Sequence, residues 1–532
     1  MPALGTLIPR MLVERGVDTV FGIPGVHTVE MYRGLPGSGL RHVTPRHEQG
    51  AGFAADGYWR ATGRVAACFI ITGPGMTNIA TAMGQAYGDS VPMIVISSDN
   101  DEGDLARGLG HLHELKDQQA MIEGVAAWSR SVREAAGLAE ALDDALDLFA
   151  TGRPRPVHIQ IPKDRLSAEV GDPPPPRPRA EPVAPARTEV EQAAAALNAA
   201  QRPLLILGGG AKALGSDAVK LAEALGAPVL STSNARGLIP AGHPLDAGGM
   251  LFAPAQRALA KEADVVLAIG AEFGPTDWSW GGEDPVEFDG RLIRVDVDPL
   301  QLHRGASPAD PIRSNAALFA SALLPLIDRV PAAPRDLAAC RASAEDPAVL
   351  ETRISRHLPL IEAIWAAHPD ALLVGDSAEP TYAAVVAAAP PGPRQWWTIT
   401  GFGTLGYALP AALGAKLAKP EAPVVALAGD GGALYTIQEL AAAAEARTPV
   451  ALLIWNNDGY GEIRHWMRDG QIAPEGVDLS PIDFEALAKG FGARYARAPS
   501  IAAAVAAIGE ASAGDGPMVI EMREGDDIKP PR

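Results

Sequence analysis

Short apolar segments alternate with longer, alanine-rich segments along the whole chain. The apolar segments include VAACFIIT, PMIVISS and VHIQIP near the start, PLLILGG, ADVVLAIG and RLIRVDVDP in the middle, and ALLVGD, PVVALAGD and VALLIWNN towards the end. Short apolar strands that alternate with helices are typical of parallel sheets that are covered on both faces. The pattern therefore predicts an α/β protein with three doubly wound parallel-sheet domains.

Two proline-rich segments divide this pattern. The first, GDPPPPRPRAEPVAPAR, runs from Gly171 to Arg187, and the second, RVPAAPR, runs from Arg329 to Arg335. Proline lacks a backbone donor and favours extended chain, so such segments act as semi-rigid linkers. We therefore predict a first domain at 1–170, a linker at 171–187, a middle domain at 188–330, a linker at 331–350 and a last domain at 351–532.

The overall charge and the cysteine content exclude several classes of protein. The formal net charge is −19 at pH 7, which disfavours a nucleic-acid partner because phosphate binding requires a basic surface. Cys68 and Cys340 are the only cysteines, and both lie in apolar or alanine-rich surroundings that do not suggest a disulfide framework. The charged amino terminus does not resemble a signal peptide, and no apolar run is long enough to span a membrane. These features predict a cytoplasmic protein with no membrane partner.

Polar side chains and glycines follow two neighbouring strands of the last domain. The strand Val424–Ala428 runs into a Gly-Asp-Gly-Gly cluster, and the strand Val450–Trp455 runs into an Asn-Asn-Asp-Gly-Tyr-Gly cluster. Because ligands bind at the carboxyl ends of parallel strands, both clusters should lie at one edge of the sheet. Glycines and a helix amino terminus suit a diphosphate, and carboxylate and amide oxygens suit Mg²⁺. The candidate residues are Gly429, Asp430, Gly431, Gly432, Asn457, Gly459, Tyr460 and Gly461.

The Gly-Asp-Gly cluster, followed at this spacing by Asn456-Asn457, resembles the cofactor motif of thiamine-diphosphate enzymes. The resemblance implies thiamine diphosphate and Mg²⁺ as cofactors, with Asp430, Asn457 and the carbonyl of Gly459 as metal ligands. It also implies that Glu48, in the stretch RHEQGAGFAADGY, hydrogen-bonds the aminopyrimidine ring. By the residues alone, Glu48 could equally be a solvated charge at a helix start. The same resemblance assigns further cofactor contacts to Pro74 and Asn78 in TGPGMTN, to Gly403 and Leu405 in GFGTLGY, and to Asp376 and Ser377.

Within that family the chain is most similar to the acetolactate-synthase-like group. This similarity implies a homodimer or homotetramer in which Glu48 of one subunit faces Asp430 of another. Some relatives bind FAD with a stretch that resembles Gly208-Gly209-Gly210, but a glycine turn after a strand is also common without flavin. FAD is therefore a secondary expectation.

The stretch LGHLHEL differs from the acetolactate synthase pattern, because His113 occupies the position of a usual glutamine. An imidazole can donate a proton at neutral pH, so His113 or His111 favours simple decarboxylation to an aldehyde over joining to a second 2-oxo acid. The carboligase remains the alternative, and either histidine could instead be an ordinary loop residue. Four stretches are FGIPGVHTVEMYRGL, RHEQGAGF, ITGPGMTNIATAMGQAY and LHEL. Together they are most similar to decarboxylases of 5-guanidino-2-oxopentanoate, the 2-oxo acid of arginine. Its guanidinium would suit nearby carboxylates, although these could also be solvated loop charges: Asp99, Asp101, Glu102 and Asp104.

Overall fold

The structure, a computed structural model, describes residues 1–249, 251–279, 282–330 and 335–528. The first part of the chain forms a parallel sheet of six strands in the order β2-β1-β3-β4-β6-β5. The strands are β1 Thr19–Gly22, β2 Arg41–Val43, β3 Ala67–Ile70, β4 Met93–Asp99, β5 Trp128–Ser131 and β6 Pro156–Pro162. The helices are α1 Leu4–Glu14, α2 Val29–Arg33, α3 Glu48–Thr62, α4 Pro74–Gly88, α5 Gln118–Glu123, α6 Ala135–Thr151 and α7 Lys163–Leu166.

The middle part forms a second parallel sheet, with its five strands in the order β11-β10-β9-β7-β8. Its strands are β7 Pro203–Leu207, β8 Val229–Ser231, β9 Val265–Ile269, β10 Arg291–Asp296 and β11 Asp310–Arg313. Its helices are α8 Arg187–Ala199, α9 Asp217–Leu225, α10 Pro254–Glu262, α11 Pro275–Trp278 and α12 Ala316–Leu323. Further helices follow at α13 Ala338–Ala342, α14 Thr352–Ser355 and α15 Leu358–Ala367.

The last part contains a third parallel sheet, in which β12, β14, β15, β17 and β16 lie side by side in that order. Its strands are β12 Leu372–Gly375, β13 Trp396–Thr398, β14 Val424–Gly429, β15 Ala451–Asn456, β16 Arg494–Arg497 and β17 Met518–Arg523. Its helices are α16 Glu379–Ala387, α17 Ala408–Ala418, α18 Asp430–Ala433, α19 Glu439–Glu445, α20 Gly461–Asp469, α21 Phe484–Gly490 and α22 Ile501–Ala513. The prediction of an α/β protein with three parallel-sheet domains is confirmed.

These elements form two compact units. The first unit contains residues 1–180, 372–378 and 401–526, and so includes the first sheet together with most of the third. The second contains the described residues of 181–371 and 379–400, together with residues 527–528. Among the described residues, no helix is long and apolar enough to cross a membrane.

Helices α3 and α17 pack against each other inside the first unit with their backbones in close approach. A Cβ on Gly57 of α3 would lie 1.9 Å from the carbonyl oxygen of Ala411, and a Cβ on Gly414 of α17 would lie 1.9 Å from that of Ala54. Helix α3 begins at Glu48, and α17 follows the loop that contains Gly403 and Leu405. Gly57 and Gly414 therefore permit the close contact between α3 and α17, which connects the first and third sheets within one chain.

A buried ionic network strengthens the same contact. Arg60 of α3 donates to Asp56 at 2.7 Å and to Asp89 at 2.6 Å, and the hydroxyl of Tyr407 donates to Asp56. Burial raises the pKa of Asp56, while the Arg60 guanidinium opposes that rise. Such a network is costly when one partner is removed, because the remaining charge stays buried.

The two proline-rich segments have different structures. Residues 171–186 have no regular secondary structure, and α8 begins at Arg187. In the predicted linker 331–350, residues 331–334 lie outside the described residues. The remainder contains α13, and its Leu337 and Cys340 are buried in the core of the middle part. This portion is ordered because its apolar side chains are covered.

In the middle part, backbone packing requires a small residue at two of the three glycines of Gly208-Gly209-Gly210. A Cβ on Gly208 would lie 2.1 Å from the carbonyl oxygen of Gly270, and one on Gly210 would lie 2.9 Å from the Cα of Gly270. The loops after β7 and β9 thus touch backbone to backbone. Since this contact already explains small residues at these two positions, they are not by themselves a sign of flavin.

Candidate active site

Asp430 and Asn457 meet at the carboxyl edge of the third sheet. Asp430 begins α18 directly after β14, and Asn457 follows the neighbouring strand β15. The backbone N–H of Gly459 donates to Asp430 Oδ2 at 2.8 Å, and that of Asn457 approaches Oδ1 at 3.4 Å. Burial raises the pKa of Asp430, and these two N–H groups oppose the rise. The two polar clusters therefore lie together at one edge of the third sheet, as the sequence predicts.

The atoms of this cluster have the spacing that a small cation requires. One terminal atom of the Asn457 carboxamide lies 3.2 Å from Asp430 Oδ1 and 2.9 Å from the carbonyl oxygen of Gly459. With nitrogen at that position the amide donates to both oxygens, and with oxygen there three oxygens converge. Ligands at about 2.1 Å from Mg²⁺ in neighbouring octahedral positions are about 3.0 Å apart. Asp430, Asn457 and the Gly459 carbonyl therefore fit a magnesium ion.

Most other residues predicted to contact the cofactor lie around this cluster. A Cβ on Gly432 would lie 3.5 Å from Leu405 Cδ2 and 3.6 Å from Asp376 Oδ1, so both side chains reach the glycines of the motif. The Tyr460 ring would lie 2.7 Å from a Cβ on Gly431. The residues that the structure brings together here are Asp376, Leu405, Gly429, Asp430, Gly431, Gly432, Asn457, Gly459, Tyr460 and Gly461. Gly403 has a positive φ of 70°, and a Cβ at this position would have no neighbour within 4 Å.

The Asp376 carboxylate is engaged by backbone groups of the chain itself. It accepts from the N–H of Ser377 at 2.8 Å and from that of Ala408, in the first turn of α17, at 3.4 Å. Burial raises the pKa of Asp376 to about 6. Asp376 thus links β12 to the start of α17. This link holds the loop of Gly403 and Leu405 beside the Gly429–Gly432 cluster.

Glu48 lies beside the turn at the start of α4. Glu48 Oε2 accepts from Asn78 Nδ2 at 2.9 Å, and Oε1 lies 3.4 Å from the position of a Cβ on Gly75. Pro74 is the first residue of α4, where its missing N–H costs no hydrogen bond. The structure therefore brings together Glu48, Pro74 and Asn78, which the sequence analysis took from two separate motifs.

The two candidate histidines have different surroundings. The backbone of His113 lies against Gly73, since a Cβ on Gly73 would meet the His113 carbonyl oxygen at 2.6 Å. Both residues have left-handed backbone conformations, with φ of 63° at His113 and 70° at Gly73. His111 is exposed and lies 3.6 Å from Asp104. Of the two, His113 is the histidine in contact with the turn that precedes Pro74.

Sequence reasoning missed two residues that contact this turn and its loop. The rings of His27 and His113 meet edge to face at 5.3 Å, and His27 is buried. Burial and the Lys163 ammonium lower the pKa of His27, which favours its neutral form. Gln118 Oε1 accepts from Thr72 Oγ1 at 2.7 Å and from the N–H of Gly73 at 3.3 Å. His27 follows the turn-forming stretch GIPG and could have been singled out there, but Gln118 has no local signal.

The acidic residues after β4 are paired with groups of the chain. Glu102 binds Arg133 and Arg165, and Asp104 lies near Arg107 and His111. Asp101 lies 3.4 Å from the Lys163 ammonium. Asp99 is buried and accepts from Thr72 Oγ1 at 3.3 Å. Asp101, Glu102 and Asp104 are therefore the poorer candidates for a guanidinium of the substrate.

Helix α20, which follows Gly459 and Tyr460, has no buried residue. Its Trp466 is 61% exposed, so this side chain is not part of the core. The indole N–H donates to Glu462 at 2.9 Å on the same helix. The side chain thus lies on the surface of α20, held to Glu462 of the same helix.

Comparison with known proteins gives matches over most of the chain. Three thiamine pyrophosphate enzyme models match it: the N-terminal TPP binding domain at residues 3–121, the central domain at 190–323 and the C-terminal TPP binding domain at 379–522. The chain is 45% identical over 497 residues to the probable 2-ketoarginine decarboxylase AruI of Pseudomonas aeruginosa, covering 92% of this chain and 88% of that protein.

Two acetolactate synthases are more distant. The isozyme 1 large subunit of Escherichia coli is 32% identical over 528 residues, covering 97% of this chain and 93% of that protein. The large subunit of Corynebacterium glutamicum is 33% identical over 555 residues, covering 98% and 87% respectively.

Proposed function

Because the chain belongs to the thiamine pyrophosphate enzyme family, we propose that it removes CO₂ from a 2-oxo acid and releases an aldehyde. Its similarity to the acetolactate-synthase-like group is confirmed, so an enzyme that joins two 2-oxo acids is the alternative. The observation that favours simple decarboxylation is the contact of His113 with the turn at Gly73. An imidazole at this position can donate the proton that completes aldehyde formation.

In this proposal the residues at the edge of the third sheet hold the cofactor and its metal. Asp430, Asn457 and the carbonyl of Gly459 bind Mg²⁺, and the backbone of the Gly429–Gly432 cluster binds the diphosphate. Leu405 would pack against the cofactor, and the Gly403 carbonyl would be available to accept from its amino group. When bound, thiamine diphosphate supplies the carbanion chemistry, which the protein need only orient and protect.

Glu48 would contact the aminopyrimidine end of the cofactor. The hydrogen bond from Asn78 Nδ2 to Glu48 Oε2 fixes the carboxyl, which leaves Oε1 for the aminopyrimidine ring. His113 then supplies the proton at the reacting carbon. Burial lowers the pKa of the neighbouring His27, which favours its neutral form beside the ring of His113.

We further propose 5-guanidino-2-oxopentanoate as the substrate. The 45% identity to a protein named as a 2-ketoarginine decarboxylase supports this choice. A planar guanidinium is bound best by carboxylates. Of the four acidic residues from Asp99 to Asp104, Asp99 remains as the candidate, because the other three are already paired with cations of the chain.

The experiment that tests this function is a panel of 2-oxo acids. The purified protein, thiamine diphosphate and Mg²⁺ are incubated with the guanidino acid, pyruvate and 2-oxobutanoate, and the products are identified by mass spectrometry. We expect CO₂ and the guanidino aldehyde with the first substrate, at a kcat/KM at least tenfold above the others. Equal use of pyruvate would remove the substrate proposal, and a hydroxyketone product would establish the carboligase. His113→Phe should lose aldehyde release but retain cofactor binding, whereas His111→Phe should retain both.

Two further expectations of the sequence analysis stay with this proposal. We propose a homodimer or homotetramer with Glu48 of one subunit opposite Asp430 of another, which light scattering and activity measured against protein concentration will test. We also propose that FAD is absent, since packing against Gly270 accounts for two of the three glycines after β7. An absorbance spectrum with flavin bands would contradict this. The cytoplasmic location stays a prediction.

A further inference from the structure

Glu439, the first residue of α19, holds the backbone just before Glu48. Its side chain is completely buried, and both carboxylate oxygens accept from the backbone N–H of Arg46, at 3.0 and 3.1 Å. Arg46 lies two residues before Glu48, where α3 begins. Arg46 precedes His47, the N-cap of α3, so a carboxylate that accepts from its N–H holds the chain as it enters the helix. A side chain beside the third sheet thus orients the helix that bears Glu48.

Two more contacts bind the same segment to α19. A Cβ on Gly50 would lie 2.5 Å from Glu439 Oε1, so the first turn of α3 lies directly against the carboxylate. The Arg46 guanidinium pairs with Glu445 at the end of α19. Glu445 is 63% exposed at its side chain, so this second contact lies at the surface, unlike the first. The exposed pair therefore provides a natural control for the buried one.

Burial and the charged groups around Glu439 together make its charge sensitive to pH. Arg46, His47 and Glu48 face it from the start of α3, and Glu445 lies on its own helix. Helix α17, which also packs against α19, carries only Lys416, whose ammonium donates to Ala422. Burial raises the pKa of Glu439 to about 7, the Arg46 N–H opposes the rise, and Glu48 adds to it. Glu439 therefore changes charge in the neutral range beside Glu48.

We propose that Glu439 is a positioning residue for Glu48: its carboxylate, bound to the backbone N–H of Arg46 and packed against Gly50, orients the first turn of α3. The inference rests on the role proposed above for Glu48. An ionised carboxylate is a stronger acceptor for a backbone N–H than a protonated one, so protonation of Glu439 weakens its hold on the start of α3.

Glu439→Gln tests the inference, with Glu445→Gln as the matched control on the same helix. Glutamine keeps the size of the side chain but loses the charge and one acceptor. In the protein with thiamine diphosphate and Mg²⁺, we expect kcat to fall at least tenfold in Glu439→Gln with KM changed less than threefold, and Glu445→Gln to stay within twofold of wild type. The ionisation near pH 7 in the profile of kcat/KM should disappear only in Glu439→Gln.

Calorimetry provides a readout that does not depend on turnover. The protons exchanged when thiamine diphosphate and Mg²⁺ bind, measured in buffers of different ionisation enthalpy at pH 6 and 8, should change with pH in wild type and not in Glu439→Gln. A Glu439→Gln variant with the wild-type profile, or an equal loss in Glu445→Gln, overturns the inference. If Glu439→Gln does not fold, Glu439→Asp must restore the ionisation near neutrality, and failure of both variants to fold also overturns it. Wild-type turnover in the same assay tests the proposed function separately.

Discussion

The contact between α3 and α17 is so close that a single methyl group should disturb it. In Gly57→Ala the new Cβ would lie 1.9 Å from the carbonyl oxygen of Ala411, whereas a real Cβ does not approach within 3.0 Å of such an atom. The two helices must therefore separate by about 1 Å. Neither can yield easily, because the atom in the way belongs to the backbone and Arg60 pairs with Asp56 and Asp89 at the same contact.

The expected cost follows from two opposing effects. Overpacking of a core contact costs about 1–3 kcal/mol, and the closeness of this contact favours the upper end. Alanine in place of glycine within a helix stabilises the folded protein by about 1 kcal/mol. We therefore expect the free energy of unfolding, measured in urea, to fall by about 2 kcal/mol. Because Glu48 begins α3 and Leu405 precedes α17, a displacement of about 1 Å should also reduce kcat/KM by about 100-fold.

Gly137→Ala is the control for this prediction. Gly137 lies in the first turn of α6, where a Cβ would meet only Val132 at an ordinary 3.7 Å. Alanine there should raise the free energy of unfolding by about 0.5–1 kcal/mol without changing activity. The reasoning would be refuted if both substitutions stabilised the protein, or if Gly57→Ala kept wild-type stability and activity.

Two further predictions concern pH and the metal. Hydrogen bonds of 2.8 and 2.7 Å hold the ring of His158 between Ser97 and Ser129, and burial lowers its pKa to about 3. Below about pH 6.5 the unfolded chain protonates His158 and the folded chain does not, so the free energy of unfolding of the wild type falls with falling pH. His158→Gln lacks this loss, so the difference in free energy of unfolding between wild type and variant, measured in urea, should shrink by about 2 kcal/mol between pH 7.5 and 5. A difference that is independent of pH would contradict this. Asp430→Asn should weaken Mg²⁺-dependent binding of thiamine diphosphate at least tenfold by calorimetry, while Asp458→Asn leaves it unchanged; equal losses would rule out Asp430 as a specific ligand.

The candidate site was predictable where the chemistry lies within short stretches of chain. The Gly-Asp-Gly-Gly cluster and Asn457 follow neighbouring strands, and parallel strands place their carboxyl ends at one edge. The roles of Pro74 and Glu48 were expected only from the resemblance to thiamine-diphosphate enzymes, which two short motifs carry. Their contact through Asn78 was not visible, because no periodicity relates residues that are distant in sequence.

By itself, the sequence determined the three parallel sheets, the family and the glycine and carboxylate clusters, because strand patterns and turn residues act over a few neighbouring positions. Only the tertiary structure decided which of His111 and His113 lies against the turn at Gly73, and that His27 lies beside it. It alone also placed Glu439 against the backbone of Arg46. Loop conformation and the packing of distant helices set these contacts, and both depend on the whole folded chain.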